Sequence, residues 1–308
     1  MATILITGGT GTIGKSLSKF LVDKQHEVII LTRNPRQGSG AISYATWDPA
    51  NGTIDIAALQ KADYIINLAG AGVADKRWSK KRKQEIVDSR IQSCQLLVKA
   101  LQQNTNKVQA VISFSGIGWY GDDSKRNPSQ KFFSEGDPAD RGFLGDTCVK
   151  WENAIKPVTA LNKRLVLLRP GIVLSNEGGA LAEFKKPVKA GIATFFGSGE
   201  QVISWIHIDD LCRIVGHAIE KDRIRGEYNA VAPEPVTNKH LMLTLARKMK
   251  GKFFIPVYVP AFVLKLAVGA VSIELLKSAR VSCEKIKSGG FQFLFPTLEV
   301  ALDDLLKK

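Results

Sequence analysis

Eight consecutive residues near the start of the chain, Thr7-Gly8-Gly9-Thr10-Gly11-Thr12-Ile13-Gly14, restrict its fold more than any other stretch. They satisfy GxGxxG through Gly9, Gly11 and Gly14, and GxxGxxG through Gly8, Gly11 and Gly14. Alone, such a pattern says little. Here it follows an apolar run at 3–7 and opens a stretch at 12–24 in which Ile13, Leu17, Phe20 and Leu21 recur at helical spacing. Strand, glycine turn and helix in that order make a phosphate-binding unit. The glycines permit a tight turn, close approach of a pyrophosphate and close packing of helix on strand. The helix start then offers free N–H groups and the positive end of its dipole to the anion. Gly8, Gly11, Thr12, Ile13 and Gly14 are therefore expected to hold a dinucleotide.

The end of the second strand, read at 27–32, separates the two nicotinamide cofactors. A site for NAD usually places an acid there to accept hydrogen bonds from the ribose 2′-hydroxyl. The residues are Leu31-Thr32-Arg33-Asn34-Pro35-Arg36, with no carboxylate among them. The planar fork of Arg33 suits a 2′-phosphate and can stack on adenine, with Asn34 beside it. The expected cofactor is NADP(H).

Further apolar runs at 42–47, 64–68, 108–114 and 164–169 alternate with helical stretches at 79–103, striped by Val87, Ile91, Cys94, Val98 and Leu101, and at 145–155. This alternation predicts an α/β fold, a Rossmann-type doubly wound parallel sheet covered by helices on both faces. A smaller C-terminal α+β region is expected on the substrate side. The boundaries read as 1–170 for the nucleotide-binding domain, its sheet completed by parts of 200–232, and 171–308 for the remainder. Beyond Pro170 the segment 175–205 is rich in glycine, with an exposed-looking Phe195-Phe196 pair. Helices follow at 209–220, capped by Asp209 or Asp210, at 238–250, and at 260–279 with Pro260 in the first turn.

Composition excludes several classes. The four cysteines lie far apart without a CxxC pair or a Cys/His cluster, so neither a disulfide framework nor a metal site is expected. The start of the chain has no basic region before its apolar run, and the apolar stretch 253–276 is interrupted by Pro256, Pro260 and Lys265. A cytoplasmic protein without a membrane segment is the reading. The net charge of +14 is mostly dispersed, with one dense run from Lys76 to Lys83 and no nucleic-acid motif, so nucleic-acid binding is not expected.

The chain resembles the extended branch of the short-chain dehydrogenase/reductase superfamily, within the subgroup of epimerase family proteins related to sugar-nucleotide epimerases. The resemblance covers essentially the whole length. It is carried by the glycine loop, by Asn67-Leu68-Ala69-Gly70, by Ala74 to Trp78, and by Ser115 to Asp122. It continues through Leu168-Arg169-Pro170-Gly171, the strip Trp205 to Asp210, and a tail similar to a small domain of unknown function. It implies a cofactor lying across the carboxyl ends of the strands, lined by Asn67 to Gly70, with the loops after 170 on the substrate side.

The superfamily's chemistry uses a Ser or Thr hydroxyl with a Tyr and a Lys spaced YxxxK on one helix, where both side chains share a face. The lysine lowers the phenol pKa and holds the nicotinamide ribose, and the tyrosine exchanges a proton with substrate as hydride moves. Ser115 matches the serine. Lys150 stands in the expected lysine position, but the residue four before it is Asp146, free to form an i,i+4 ion pair with it. Tyr120 is the nearest other phenol. Ser115, Tyr120 and Lys150 are thus the expected catalytic group, with Lys150 also on the cofactor and Leu68, Ala69 and Gly70 lining it. His207 either touches substrate or packs between loop and sheet. Lys76, Arg77 and Trp78 either hold an anionic substrate group or begin a solvated basic helix, and Lys80 to Lys83 are expected to face solvent. The function read is an NADP(H)-dependent oxidoreductase or epimerase on a small carbonyl or hydroxyl compound. Its alternative is a non-catalytic NADPH sensor that signals to a partner.

Overall fold

The computed structural model describes residues 1–35, 37–126 and 132–307. Arg36, read above beside Arg33, lies outside them. The chain opens with β1 (Thr3–Thr7), α1 (Thr12–Asp23), β2 (Glu27–Thr32), β3 (Ile42–Asp48), β4 (Thr53–Ile54), α2 (Ile56–Lys61) and β5 (Tyr64–Asn67). It continues with α3 (Lys80–Gln103), β6 (Ala110–Phe114), α4 (Phe143–Ile155), β7 (Arg164–Pro170) and β8 (Ile172–Leu174). Then come α5 (Ala180–Lys189), β9 (Ile192–Phe196), β10 (Val202–Ile203), β11 (Trp205–His207), α6 (Ile208–Glu220), β12 (Gly226–Ala230) and β13 (Val236–Thr237). The last elements are α7 (Asn238–Lys250), β14 (Ile255–Val259), α8 (Ala261–Val268), α9 (Ser272–Leu276), α10 (Glu284–Ser288) and α11 (Leu298–Leu305).

The main sheet runs in the order β12-β7-β6-β5-β1-β2-β3-β4. Its strands pair in parallel except for the short antiparallel β4. Strands covered on both faces must be apolar throughout, and β6 is buried at every position. Strand order reverses between β1 and β5, so the loops leaving their carboxyl ends diverge and open a crevice. The doubly wound parallel sheet expected from the sequence is the observed one. A second apolar cluster, built around Phe195, Trp205, Leu241 and Leu302, lies beneath α5, α7 and α11.

Local differences from the sequence reading have physical causes. The buried stripe of α3 is Ile86, Arg90, Cys94, Leu97 and Leu101, turned by about one residue from the expected one, because two polar side chains, Arg90 and Ser93, occupy its inner face. Phe195 is buried under Tyr258 at 5.0 Å. The N-cap of α6 is His207, whose Nδ1 accepts the Asp209 N–H at 3.1 Å. Asp210 instead accepts the backbone N–H groups of Leu294 and Phe295, both at 2.9 Å, and pins the C-terminal segment. Pro260 is the N-cap of α8, and the expected helix at 260–279 breaks at Gly269, which has φ +67°.

Candidate functional site

A cleft of about 870 Å³ runs along the carboxyl ends of β2, β1, β5 and β6. Its floor is the glycine loop. Gly8 has φ +68°, and a Cβ there would stand 2.9 Å from the backbone carbon of Leu68. A Cβ on Gly14 would come within 2.5 Å of Gly8 O, so α1 can only begin this close to the turn with glycine there. The first turn of α1 has no side-chain cap and no acidic residue, which leaves its N–H groups facing the cleft. This cradle fits a pyrophosphate.

Thr7 and Asn67 fix the two strand ends that flank the crevice. The Thr7 hydroxyl donates to Asn67 Oδ1 at 2.7 Å and accepts the N–H groups of Leu68 and Ala69, both at 3.1 Å. Asn67 Nδ2 donates to Ser113 Oγ at 3.1 Å. Asn67 is wholly buried and ties β1, β5 and β6 together, whereas it was expected to line the cleft. The lining comes from Leu68, Ala69, Gly70, Ala71 and Gly72.

Gly8, Gly11, Thr12, Ile13, Gly14 and Arg33 all line the cleft, while Asn34 does not. The end of β3 adds Trp47, Asp48, Pro49 and Ala50. Asp48 therefore brings a carboxylate to the end of the cleft where β2 has none. Its two oxygens are engaged by Ala50 N at 3.0 Å and Asn51 Nδ2 at 2.8 Å, and these bonds, with nearby Arg33, hold its pKa below the usual range.

At the opposite end stand Ser115, Trp151, Pro170 and Arg90. The Ser115 hydroxyl is buried, with the Cys148 thiol beside it and no nitrogen or oxygen partner among the described residues. Lys150 and Asp146, by contrast, are exposed, do not line the cleft, and form no ion pair among the described residues. The inward i,i+4 pair on α4 is Leu144 and Cys148. Leu144 packs on Gly118, and the Cys148 thiol lies 3.7 Å from Gly116 O beside Ser115. Burial pushes the Cys148 thiol up to about 11. The inner face of α4 thus carries an apolar side chain and a neutral thiol at the i,i+4 spacing that YxxxK chemistry fills with a phenol and an ammonium.

Tyr120 is wholly buried and outside the cleft. Its hydroxyl donates to Asn229 Oδ1 at 2.7 Å and accepts from Arg169 Nη1 at 3.2 Å, and its ring stacks on Phe133 at 5.0 Å. Burial raises its pKa to about 12. The hydroxyl is a framework group, not one poised to meet substrate.

His207 stacks on Phe295 at 3.7 Å and packs between loop and sheet. Its Nδ1 is an acceptor for the Asp209 N–H, which leaves the proton on Nε2, 3.5 Å from Asp304. Burial lowers the imidazole pKa, against the opposing pull of Asp209, Asp304 and Asp210.

The basic run is partly structural, with Lys76, Lys80 and Lys81 exposed. Arg77 grips the carbonyls of Leu266 and Ala267 at the end of α8, where a cation complements the helix dipole. Trp78 Nε1 donates to Val73 O at 2.8 Å. Arg82, expected to face solvent, is buried and donates to Gly72 O at 2.6 Å, which fixes the loop after β5. Lys83 lies over the rings of Trp78 and Phe143.

Past Ser115 a second hollow of about 220 Å³ opens between Val73, Gly118, Leu144, Ile172 and Phe196. It abuts the cleft along three chain segments, 70–74, 114–118 and 170–172. At its wall Lys277 bridges Glu274 at 3.3 Å and Asp140 at 3.4 Å, and burial raises the Glu274 pKa.

Residues 4–230 match the model of the NAD dependent epimerase/dehydratase family. The chain belongs to that family. Residues 259–305 match a domain of unknown function. This epimerase/dehydratase family member is 36% identical over 307 residues to epimerase family protein SSP1921 of Staphylococcus saprophyticus, covering 99% of this chain and 100% of that one. It is 35% identical over 309 residues to epimerase family protein SAOUHSC_00792 of Staphylococcus aureus, covering the whole of both. Among solved structures it is similar to a human epimerase family protein, SDR39U1, crystallised with NADPH. That match has a TM-score of 0.85 and 31% identity, and covers 98% of each chain. A UDP-N-acetylglucosamine 4-epimerase from Bacillus cereus shares the fold at a TM-score of 0.77 and 18% identity, with 99% and 98% covered. No helix among the described residues is long and apolar enough to cross a membrane.

Arg90, Trp151, Trp47 and Asp48 escaped the sequence reading. Arg90 sits mid-helix in a polar-looking stretch, and only its place beneath Gly70 reveals it. Asp48 left a weak signal, an acid directly after an apolar run, but which strand would lie beside β2 is a matter of topology.

Proposed function

We propose that this protein binds NADP(H) in the cleft and works as an oxidoreductase or epimerase-type enzyme on a compact carbonyl or hydroxyl compound. One observation carries the cofactor assignment. Arg33 lines the cleft at the end of β2, where no carboxylate of that strand competes for the ribose. The NADPH in the human relative's crystal structure supports the same reading. When bound, a nicotinamide supplies or accepts a hydride. The chain's own residues do the rest. The first turn of α1 holds phosphate, Arg33 pairs with the 2′-phosphate, and the Ser115 hydroxyl hydrogen-bonds the substrate oxygen beside the reacting carbon. The hollow lined by Gly118, Leu144 and Ile172 seats an apolar part of the substrate and excludes water from it.

A second reading has its own observation. Leu144 and Cys148, in place of a phenol and an ammonium, favour a site that holds NADPH without turning it over and reports its presence to a partner. Titration with NADPH and NADH, followed by nicotinamide fluorescence, tests the cofactor assignment. Much tighter NADPH binding is expected, and equal affinity would overturn it. Incubating the NADPH complex with a panel of aldehydes and ketones separates the two readings. Oxidation at 340 nm supports the enzyme, and its absence across the panel supports the sensor.

A further inference from the structure

Arg90, 8% exposed in the middle of α3, is a buried cation with no carboxylate partner among the described residues. The nearby acids are otherwise engaged: Glu85 with Arg82, Asp88 with Gln84, and Glu152 with Arg169. The guanidinium is held in place with some care. Nη1 donates to Ala71 O and to Ile86 O, both at 2.9 Å, and the group lies 4.7 Å over the Trp151 ring. Gly70 makes room for it, since a Cβ there would stand 3.0 Å from Arg90 Cζ. A cation taken this far from water is costly unless something compensates it. The protein keeps the group there and orients it into the cleft that Ser115 and Trp151 also line.

Its position says what it faces. In a doubly wound sheet the first turn takes the pyrophosphate and the end of the second strand takes the adenosine ribose. The other half of the dinucleotide then lies toward β5 and β6, which is the Arg90 end. Cys148 occupies the inward position on α4 where a lysine would present its ammonium, and Arg90 is near enough to influence that thiol. We propose that Arg90, reaching from α3, replaces the α4 lysine as the fixed cation at the nicotinamide end, and biases the site toward the reduced cofactor. The physical reason is charge. The oxidised nicotinamide ring is cationic and is repelled by a fixed, largely buried guanidinium, while the reduced ring is neutral. The ribose hydroxyls accept hydrogen bonds from that guanidinium in either redox state, so the discrimination falls on the ring.

The inference rests on NADP(H) binding in the cleft, and the experiment keeps the two apart. The dissociation constants of NADPH and NADP⁺ are measured by calorimetry on the wild-type protein, Arg90→Lys and Arg90→Gln, with thermal melts to check folding. The wild-type protein is expected to prefer NADPH by about tenfold or more. Arg90→Lys keeps most of that preference, and Arg90→Gln brings the ratio close to one. A wild-type ratio near one, or a folded Arg90→Gln protein with an unchanged ratio, would overturn the role of Arg90 while leaving the cofactor reading intact. If Arg90→Gln does not fold, Arg90→Met, which keeps the length of the side chain without its charge, takes its place with the same expected and overturning results. Failure of the wild-type protein to bind either form would overturn both.

Discussion

Arg169 and Glu152 form a two-point ion pair in the interior, with Arg169 Nε and Nη2 at 2.8 and 2.9 Å from the two carboxylate oxygens. The side chains are 2% and 1% exposed, and the guanidinium also lies 3.7 Å over the Trp119 ring. The pair clamps α4 to the end of β7 and so holds Cys148 beside Ser115 and Trp151 at the cleft. Glu152 raises the Arg169 pKa further above its ordinary value, against the effect of burial. Removing one partner strands a buried charge. Glu152→Gln is expected to cost about 3–5 kcal/mol in urea denaturation, and to weaken cofactor binding through the displaced α4.

Tyr120 makes stability depend on alkaline pH. Burial raises its pKa from 10.0 to about 12. A raised pKa means the folded state holds the phenol proton more tightly than the unfolded chain. The stabilisation is therefore complete below pH 10 and declines as pH rises from 10 through 12, by about 2–3 kcal/mol in all. Urea midpoints measured from pH 9 to 12 should fall more steeply for the native protein than for Tyr120→Phe. Cofactor affinity at pH 7 should be nearly unchanged in that variant, since the hydroxyl stands outside the cleft.

Gly8 cannot accept a side chain without movement. Its φ of +68° and the 2.9 Å approach to Leu68 both oppose a Cβ. Gly8→Ala should destabilise the fold by about 1 kcal/mol or more and weaken NADPH binding by a larger factor than it weakens folding. Calorimetric titration beside a thermal melt distinguishes the two effects.

Arg33 is exposed at the rim of the cleft, so its removal should leave stability alone. Arg33→Ala is expected to weaken NADPH binding by about 10–100-fold, the range of a charge-assisted hydrogen bond, with little effect on NADH. Equal losses for both cofactors would place the 2′-phosphate elsewhere.

All four cysteines are buried, and burial pushes the thiols of Cys94, Cys148 and Cys283 up to about 12, 11 and 11. A thiolate is the reactive form. At pH 8 the native protein should show almost no reaction with a chromogenic disulfide reagent, and all four thiols should react in denaturant. Rapid labelling of Cys148 in the native protein would show that α4 opens.

The phosphate loop, the strands and most helices were legible because their causes are local. Apolar runs, a 3.6-residue period and a glycine turn each lie within a few consecutive residues. The place of Arg33 at the cleft follows likewise from its position at a strand end. Side chains that face one another across helices left no such trace. The register of α4 is the sharpest case. Asp146 and Lys150 have the right spacing in sequence, but a Cβ on Gly145 would collide with the Asp140 carbonyl, so the helix packs with that side against the 140 segment. That rotation turns Leu144 and Cys148 inward and leaves Asp146 and Lys150 in solvent.

The sequence by itself thus determined the sheet, its parallel sense and the glycine-floored cleft at its carboxyl ends. Only the tertiary structure decided which groups stand at the Ser115 end, because their positions depend on how α3, α4 and β6 pack together over distances that no short-range pattern encodes. Tyr120 went to the core because Asn229 and Arg169, both remote in sequence, offered its hydroxyl partners there. Arg90 came to the cleft because Gly70, at the end of a different element, left room for it.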